Sequence, residues 1–432
     1  MMSLSNPFRG INATTDAPLA SLRSRQWVKL ICGASYQDLP KIRNLALVYA
    51  LAGVDCIDMA ADPAVITAVR EGVAVARLLY QKAFAPNAST DTEINAELDL
   101  DLDLEPLDIS DLNINNQINN QAAPNPWLMV SLNAGEDPHF RKAEFNYLEC
   151  LTHCDRPCVD VCPTQAIQFN QVEVHNDRAG LSERNNQIRE QGKSGNSGNS
   201  GNSEDLSFTS SASHLSNLAT KPQGEVLDNL CYGCGRCLAV CPLSIINTRE
   251  HTYTPEILLN EPIDAIEIHI QPWRVEEFKR LWQRLLPVIP KLKLLAISFP
   301  DCDNLKDYLL ALLEWMKPLP QQLVWQADGR PMSGDIGNGT TQAAIKLGQK
   351  VLGFELPIGF VQIAGGTNAS TARKIDEAQV KVAGVAYGSY ARKLIMDLLE
   401  QGGDRLEANP QLLKQAILKA KNLVGQTKHK AS

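Results

Sequence analysis

A run of four cysteines that ends in a proline restricts the fold of this chain more than any other feature of its sequence. Residues 231–242 read Cys-Tyr-Gly-Cys-Gly-Arg-Cys-Leu-Ala-Val-Cys-Pro, which is the C-x2-C-x2-C-x3-C-P spacing of a bacterial-type ferredoxin module. Three thiolates on one tight loop bind three irons of one cubane, and the fourth ligates the other cluster where there are two. Zinc sites normally use two separated C-x2-C pairs. The run therefore predicts an iron–sulfur cluster, with zinc or disulfides as the alternatives.

A second cysteine run lies upstream and has the same tail. Its residues are Cys150, Cys154, Cys158 and Cys162, followed by Pro163. The repeated C-x3-C-P tail indicates the internal duplication from which two-cluster ferredoxins are built. The first two gaps of this upstream run hold three residues instead of two, and a displaced thiolate can fail to reach its iron. We therefore expect two iron–sulfur clusters, a 4Fe–4S cluster at the downstream run and a 4Fe–4S or 3Fe–4S cluster at the upstream run.

The duplication also predicts how the two runs share their ligands, because in such modules each run gives its fourth cysteine to the other cluster. The expected ligands of the upstream cluster are Cys150, Cys154, Cys158 and Cys241. The expected ligands of the downstream cluster are Cys231, Cys234, Cys237 and Cys162. Each cluster then joins the two runs to one another.

Outside the cysteine runs, apolar segments of strand length alternate with amphipathic helices. Three such strands precede the runs and five follow them, which predicts parallel strands joined by right-handed crossovers. The predicted strands are 27–35, 54–61, 127–133, 265–270, 294–299, 322–327, 360–364 and 382–387. This α/β pattern predicts a (β/α)8 barrel-like body with a ferredoxin-type α+β module inserted after the third strand. An open, doubly wound sheet is the alternative.

The domain boundaries follow from this order. The predicted parts are 22–140 and 251–402 for the two portions of the barrel, 141–250 for the two-cluster module, and 403–432 for a basic C-terminal helix or tail. Two inserts interrupt them. Residues 86–125 are acidic and of low complexity, and residues 178–224 contain Gly-Asn-Ser repeats. Both lack core-forming residues, so we predict that they are disordered loops.

Charge and composition narrow the classes of partner and compartment. The net charge is −8, and nine acidic side chains lie in residues 91–111, so the rest of the chain is close to neutral and nucleic acid is not expected as a partner. No apolar run of about 18 residues occurs, which argues against a membrane span. Cysteines grouped for metal are typical of a reducing compartment, which predicts a cytoplasmic location.

Polar residues and glycines follow several of the predicted strands, where a barrel binds its ligands. Glycines after the seventh and eighth strands resemble the common barrel phosphate site, in which backbone N–H groups and a helix N-terminus contact phosphate. The candidate phosphate-site residues are Asp328, Arg330, Gly365, Gly366, Thr367, Gly388 and Arg392. The alternative is that these glycines only allow tight turns. His269 lies on an apolar strand and is either a hydrogen-bonded core histidine or a catalytic residue.

The position of the inserted module leads to a prediction about geometry. The module enters the chain in a connection from a strand to the next helix. In a barrel all such connections emerge at the C-terminal face. We therefore expect the clusters to lie over or beside the mouth formed by Asp58, His269, Asp328, Gly365 and Gly388.

Together these features resemble the light-dependent period family of cyanobacteria. The resemblance rests on two ferredoxin-type runs between strands of an α/β chain, followed by Asp-Gly-Arg-Pro-Met-Ser-Gly-Asp at 328–335 and Ile-Ala-Gly-Gly-Thr at 363–367. It covers most of residues 22–400 apart from the inserts. It implies an iron–sulfur redox sensor that adjusts the circadian clock to light and acts with circadian clock proteins.

Two classes of function fit the residues. In the first, the protein is a non-enzymatic sensor whose clusters respond to electrons, to quinone or to another small redox molecule. In the second, it is an oxidoreductase whose barrel mouth holds flavin or another phosphate-bearing ligand that exchanges electrons with the clusters. The resemblance favours the sensor, and catalytic residues cannot be identified from the sequence.

Overall fold

The computed structural model describes most of the chain and leaves out both inserts. The described residues are 16–84, 123–151, 153–162, 164–170, 223–231, 233–251, 253–329 and 337–428. Nearly all of the predicted inserts at 86–125 and 178–224 lies outside these ranges, as does the candidate phosphate-site residue Arg330.

Twelve strands form in the described part of the chain. They are β1 (Trp27–Ile31), β2 (Cys56–Ala60), β3 (Trp127–Ala134), β4 (Arg141–Glu144), β5 (Ile167–Asn170), β6 (Gln223–Val226), β7 (Asn247–Glu250), β8 (Ala265–Ile270), β9 (Leu294–Phe299), β10 (Leu323–Asp328), β11 (Phe360–Ala364) and β12 (Gly384–Tyr387). Eight of them, β1 to β3 and β8 to β12, are parallel and close into a barrel because β12 pairs with β1. Closure confirms the predicted barrel-like body and excludes the open sheet, in which two edge strands would lack a partner.

Among the residues that the structure describes, helices surround the barrel, and two separate short helices belong to the module. They are α1 (Ala17–Arg23), α2 (Leu39–Ala52), α3 (Pro63–Phe84), α4 (Pro157–Asp160), α5 (Arg236–Val240), α6 (Val275–Leu285), α7 (Leu305–Trp315), α8 (Thr341–Leu352), α9 (Thr371–Glu377), α10 (Ser389–Gly402) and α11 (Pro410–Lys428). In the described part of the connection before β8 there is a 3-10 helix at Pro255–Leu259. The module and short 3-10 helices thus take the place of a barrel α-helix between β3 and β8.

Local sequence explains where α2 begins and ends. Asp38 precedes its first turn, and its carboxylate accepts a hydrogen bond from the Lys41 backbone N–H at 3.3 Å. This bond satisfies one of the N–H groups that a helix start leaves without a partner. Gly53 ends the helix in the left-handed conformation, with φ of 89°, which glycine adopts without steric cost.

Two apolar layers hold the barrel together. One lies between the strands and the surrounding helices, and both faces of the barrel strands are therefore buried. The other closes the N-terminal end of the barrel, where the rings of Trp27 and Trp127 meet edge to face with centroids 5.6 Å apart and Leu22 of α1 packs in the same cluster. The N-terminal end is thus filled, and polar side chains are concentrated towards the opposite end.

The inserted module consists of two similar halves. The first half has the order β4, upstream cysteine run with α4, β5, and the second has the order β6, downstream run with α5, β7. The halves exchange partners, because β4 pairs antiparallel with β7 and β5 with β6. The β5–β6 register places Asn170 opposite Gln223 at one end of this small sheet.

The module lies at the C-terminal face of the barrel, as expected from its insertion after β3. The backbone N–H of Gln37, in the loop after β1, donates to the carbonyl of Asn229 at 3.0 Å. The side-chain amide of Asn133, at the end of β3, donates to the Glu250 carboxylate at 2.9 Å. These contacts place the module against the loops that surround the barrel mouth.

Candidate cluster sites and barrel mouth

The thiols of the downstream group lie together around one cavity. The four cysteines that line it are Cys162, Cys231, Cys234 and Cys237. Three of them come from the downstream run, and Cys162 is the last cysteine of the upstream run. Burial and these neighbouring thiols raise the pKa of Cys237 to about 12. These are the four cysteines predicted as ligands of the downstream cluster, and their ligation of iron stays a prediction.

The remaining cysteines form a second group with the same crossed composition. Burial raises the pKa of the Cys158 thiol, and the next cause is the proximity of Cys241. Burial followed by the neighbouring Cys154 raises the pKa of Cys150, to which Cys241 also contributes. Cys241 belongs to the downstream run, so the fold brings it to the cysteines of the upstream run.

Thiols that raise one another's pKa need nearby positive charge to become thiolates. Bound iron ions would supply that charge, and the thiols would release their protons when iron binds. Backbone N–H groups also point at the sulfurs, from Ala143 to Cys231 at 3.3 Å and from Ala166 to Cys162 at 3.2 Å. Such hydrogen bonds are one of the means by which a protein sets the reduction potential of an iron–sulfur cluster. Both groups therefore fit the cofactor.

The spacing of the thiols agrees better with a cluster than with a single metal ion. In the described chain, the set of three ligand atoms that all lie within 4.8 Å of one another comes from Asp137, His139 and His269, and it includes no cysteine. No three of the described thiol sulfurs lie as close together as those three ligand atoms, whereas the ligands of one tetrahedral zinc ion would. A cubane presents a separate iron to each thiolate and needs this wider spacing.

Helix starts set the position of the cysteines within each run. Cys158 lies in the first turn of α4, which follows Arg156 in the left-handed conformation at φ of 54°. Cys237 lies in the first turn of α5, which follows Gly235 at φ of 74°. The reversal before each helix turns the chain sharply, and in the downstream run Cys237 then lines the same cavity as Cys231 and Cys234. Glycine makes this reversal without strain in the downstream run.

A buried lysine connects the downstream group to the barrel. Lys142 on β4 is fully buried, and its ammonium donates to the carbonyls of Ser35, Asp228 and Cys231. The contacts to Asp228 and Cys231 are 2.6 and 2.7 Å long. Burial lowers the pKa of Lys142 to about 8. Nothing in the local sequence pattern distinguishes this residue from a surface lysine on a short strand.

The centre of the barrel is filled by buried polar side chains. The Lys29 ammonium lies 3.6 Å from the Asp58 carboxylate and forms a closer ion pair with Glu267. Burial opposes its charge, but these two carboxylates hold the pKa of Lys29 above its ordinary value. Ser131 donates to Asp58 at 2.8 Å, and Gln326 donates to Glu267 at 2.7 Å. The network gives each buried charged group an ion-pair or hydrogen-bond partner, as an interior ion pair requires.

His269 joins this network to the barrel mouth. Its Nε2 lies 3.1 Å from Glu267, and its ring is buried, so the expectation of a hydrogen-bonded core histidine agrees with its surroundings. On the mouth side, Asp137 and His139 form a 2.8 Å contact in the loop after β3. His139 also lies 3.3 Å from Asp328 at the end of β10. The sequence analysis did not single out Asp137 or His139, because they follow β3 on an irregular loop.

Comparison with known proteins places the chain in a family. Light dependent period A from Synechococcus elongatus is 38% identical to this chain over 425 residues, which cover 95% of this chain and 94% of that protein. The chain belongs to the Light dependent period A family. A family model described as the Light dependent period A C-terminal domain matches residues 257–426, and one described as the LdpA Fe-S cluster-binding domain matches residues 215–252. No solved structure matches the chain.

The family match supports part of the functional expectations. It supports an iron–sulfur protein in the context of the light-dependent clock, and the matched cluster-binding range contains the whole downstream run. The upstream run lies outside that range. Among the helices that the structure describes, none is both long and apolar enough to cross a membrane.

Of the candidate phosphate-site residues that the structure describes, Arg392 lies in the first turn of α10 and the others lie at the ends of β10, β11 and β12. Gly366 has φ of 78°, and an added Cβ would lie 2.7 Å from the carbonyl oxygen of Thr340, so a close approach requires glycine there. Thr367 donates to the Ala386 carbonyl at 2.6 Å. Arg392 donates to the Ile31 carbonyl at 2.9 Å. These contacts are what a tight turn requires, and phosphate binding stays a prediction.

Proposed function

We propose that this protein is a redox sensor whose two iron–sulfur clusters respond to the redox state of the cell and convey it to circadian clock proteins. The observation that carries the proposal is the crossed grouping of the eight thiols, together with the family match. Clusters with crossed ligands join both halves of the module, so a change in either cluster acts on the whole module. The reducing conditions that such clusters need correspond to a cytoplasmic location.

The proposal assigns two ligand sets. The upstream cluster is held by Cys150, Cys154, Cys158 and Cys241. The downstream cluster is held by Cys231, Cys234, Cys237 and Cys162. The regular spacing of the downstream run suits a 4Fe–4S cluster, and the stretched spacing of the upstream run suits a 4Fe–4S or a 3Fe–4S cluster.

Transmission from the clusters to the body of the protein rests on Lys142. Its ammonium contacts the carbonyl of the ligand Cys231 and the carbonyl of Ser35 in the loop after β1. A change in cluster charge alters the force on this buried cation, because Coulomb interactions are weakly screened in the interior. The loops at the barrel mouth therefore respond to cluster oxidation, and their outer surface is the proposed contact region for clock partners.

The direct test is spectroscopy of protein purified without oxygen. We expect broad visible absorption from the clusters, bleaching on reduction, and recovery when an oxidised quinone is added. Electron paramagnetic resonance counts the clusters and distinguishes 3Fe–4S from 4Fe–4S. Quinone-insensitive clusters would contradict the choice of quinone as oxidant, and a colourless, iron-free protein would contradict the proposal itself.

Flavin or another phosphate-bearing ligand at the barrel mouth, with an oxidoreductase activity, is the second candidate function. An added Cβ on Gly388 would make ordinary contacts, at 3.7 Å to the Ile31 Cβ and 3.8 Å to the Arg392 guanidinium, so close packing does not require glycine there as it does at Gly366. The same purified sample decides this point. Resolved flavin bands, or a phosphate-bearing compound released on denaturation, would favour the oxidoreductase over the sensor.

A further inference from the structure

Three metal-binding side chains converge at the barrel mouth, outside both cysteine groups. One ligand atom each from Asp137, His139 and His269 lies within 4.8 Å of the other two. Asp137 and His139 belong to the loop that leads from β3 into the module, and His269 belongs to β8. We propose that this triad binds one divalent transition-metal ion through Nδ1 of both histidines and Oδ1 of the aspartate.

The two imidazole rings present the same nitrogen to one carboxylate oxygen. Nδ1 of His139 lies 2.8 Å from Oδ1 of Asp137, and Nδ1 of His269 lies 3.9 Å from the same oxygen. The ring centroids are 4.9 Å apart. Two imidazole nitrogens and one carboxylate oxygen form a common ligand set for zinc and for non-haem iron(II). Three protein ligands also leave at least one coordination position open for water or another small molecule.

The groups behind the triad are those that orient metal ligands. Nε2 of His139 lies 3.3 Å from Asp328, and Nε2 of His269 lies 3.1 Å from Glu267. In the metal-bound state that we propose, each carboxylate would hold the ring proton on Nε2 and leave the lone pair of each Nδ1 for the metal; without a metal, the 2.8 Å contact of His139 with Asp137 is a hydrogen bond. Metal-binding histidines in proteins commonly have such a carboxylate on the opposite nitrogen.

Asp137 is itself held in place by two donors. Its Oδ2 accepts a hydrogen bond from the Gln271 amide at 2.6 Å, and its Oδ1 accepts one from the His139 backbone N–H at 2.9 Å. One carboxylate oxygen is thus anchored by a neighbour, and the other faces both rings. This is the orientation that single-oxygen coordination requires.

The local charge favours a cation at this position. The buried carboxylates around the triad belong to Asp58, Asp137 and Glu267. Asp58 and Glu267 contact the ammonium of Lys29, and His269 lies between Glu267 and Asp137. With neutral histidines this network carries an excess of negative charge. A divalent ion would compensate it, and a second proton on His139, between the carboxylates of Asp137 and Asp328, is the competing explanation.

The experiment uses the full-length protein with its clusters, kept free of oxygen, and zinc(II) as the probe. Bound zinc is measured after equilibrium dialysis, while the visible absorption shows that cluster iron is not displaced. We expect one equivalent of zinc per chain in the unchanged protein and none in Asp137→Asn. His251→Gln is the matched control, because it removes a nearby histidine outside the triad and should leave zinc binding unchanged.

Two further measurements keep the result interpretable if Asp137→Asn does not fold. Asp328→Asn leaves the ligands in place, so it should bind zinc at least 10-fold more weakly, which is the usual effect of losing a carboxylate behind a histidine ligand. Cobalt(II) added to the unchanged protein should give visible d–d absorption of a nitrogen–oxygen site. Absence of zinc binding in the unchanged protein, or equal binding in Asp328→Asn, would overturn the proposal. Cluster absorption is read separately, so this outcome leaves the sensor proposal untouched.

Discussion

Replacement of Lys142 by methionine tests whether the barrel and the downstream cluster are electrostatically coupled. Methionine has a similar length but no charge, and the ammonium that it removes lies 2.7 Å from the carbonyl oxygen of the ligand Cys231. Reduction adds negative charge to a cluster, and a nearby cation stabilises the reduced form. Loss of the cation should therefore lower the reduction potential of the downstream cluster.

The size of the shift follows from Coulomb's law. A unit charge roughly 5 Å from the cluster, at an effective dielectric constant of about 20, contributes about 3 kcal/mol. For a one-electron couple this energy corresponds to a shift on the order of 100 mV. The carbonyls of Ser35, Asp228 and Cys231 also lose their donor, which costs about 1–3 kcal/mol for each group that stays buried without a partner. The variant is thus expected to be less stable as well.

The assay is a redox titration of each cluster, followed by electron paramagnetic resonance. The upstream cluster serves as an internal reference, and Lys393→Met, which removes an exposed lysine on α10, serves as the matched control. Iron content is measured first, so that a shift is read only from protein with both clusters. A downstream potential that stays at the value of the control, or that rises, would refute the coupling through Lys142.

The remaining predictions concern ligands, the insert and the barrel centre. Cys237→Ser should remove the downstream cluster and Cys241→Ser should disturb the upstream one, whereas Cys302→Ser should leave both intact. Iron analysis and electron paramagnetic resonance measure the loss of each cluster. A defect in the downstream cluster of Cys241→Ser would contradict the crossed ligands. Deletion of residues 190–215 should preserve iron content and the midpoint of thermal unfolding, and loss of iron would mean that the segment is structural. Lys29→Met should lower the free energy of unfolding by about 3–5 kcal/mol, because it leaves buried carboxylates uncompensated. Unchanged stability in a denaturant titration would contradict this prediction.

A structural feature of this protein can be predicted from its sequence when the residues that form the feature are close together in the chain. The downstream run predicts its site because its four cysteines fall within eleven residues, on one loop and one short helix. The strand and helix segments of the barrel were also predictable, because each carries its own apolar pattern. The first strand is shorter than predicted, since Gly33 with φ of 128° departs from extended geometry just after β1.

The features that the tertiary structure decided depend on residues far apart in the chain. Pairing of β12 with β1 closes the barrel, and the same alternation of strands and helices also suits an open sheet. Lys142 meets Ser35 across 107 positions, and Lys29 meets Glu267 across 238. A buried lysine and an exposed one look alike in sequence, because only the completed fold removes water from the first and brings carbonyls or carboxylates to it.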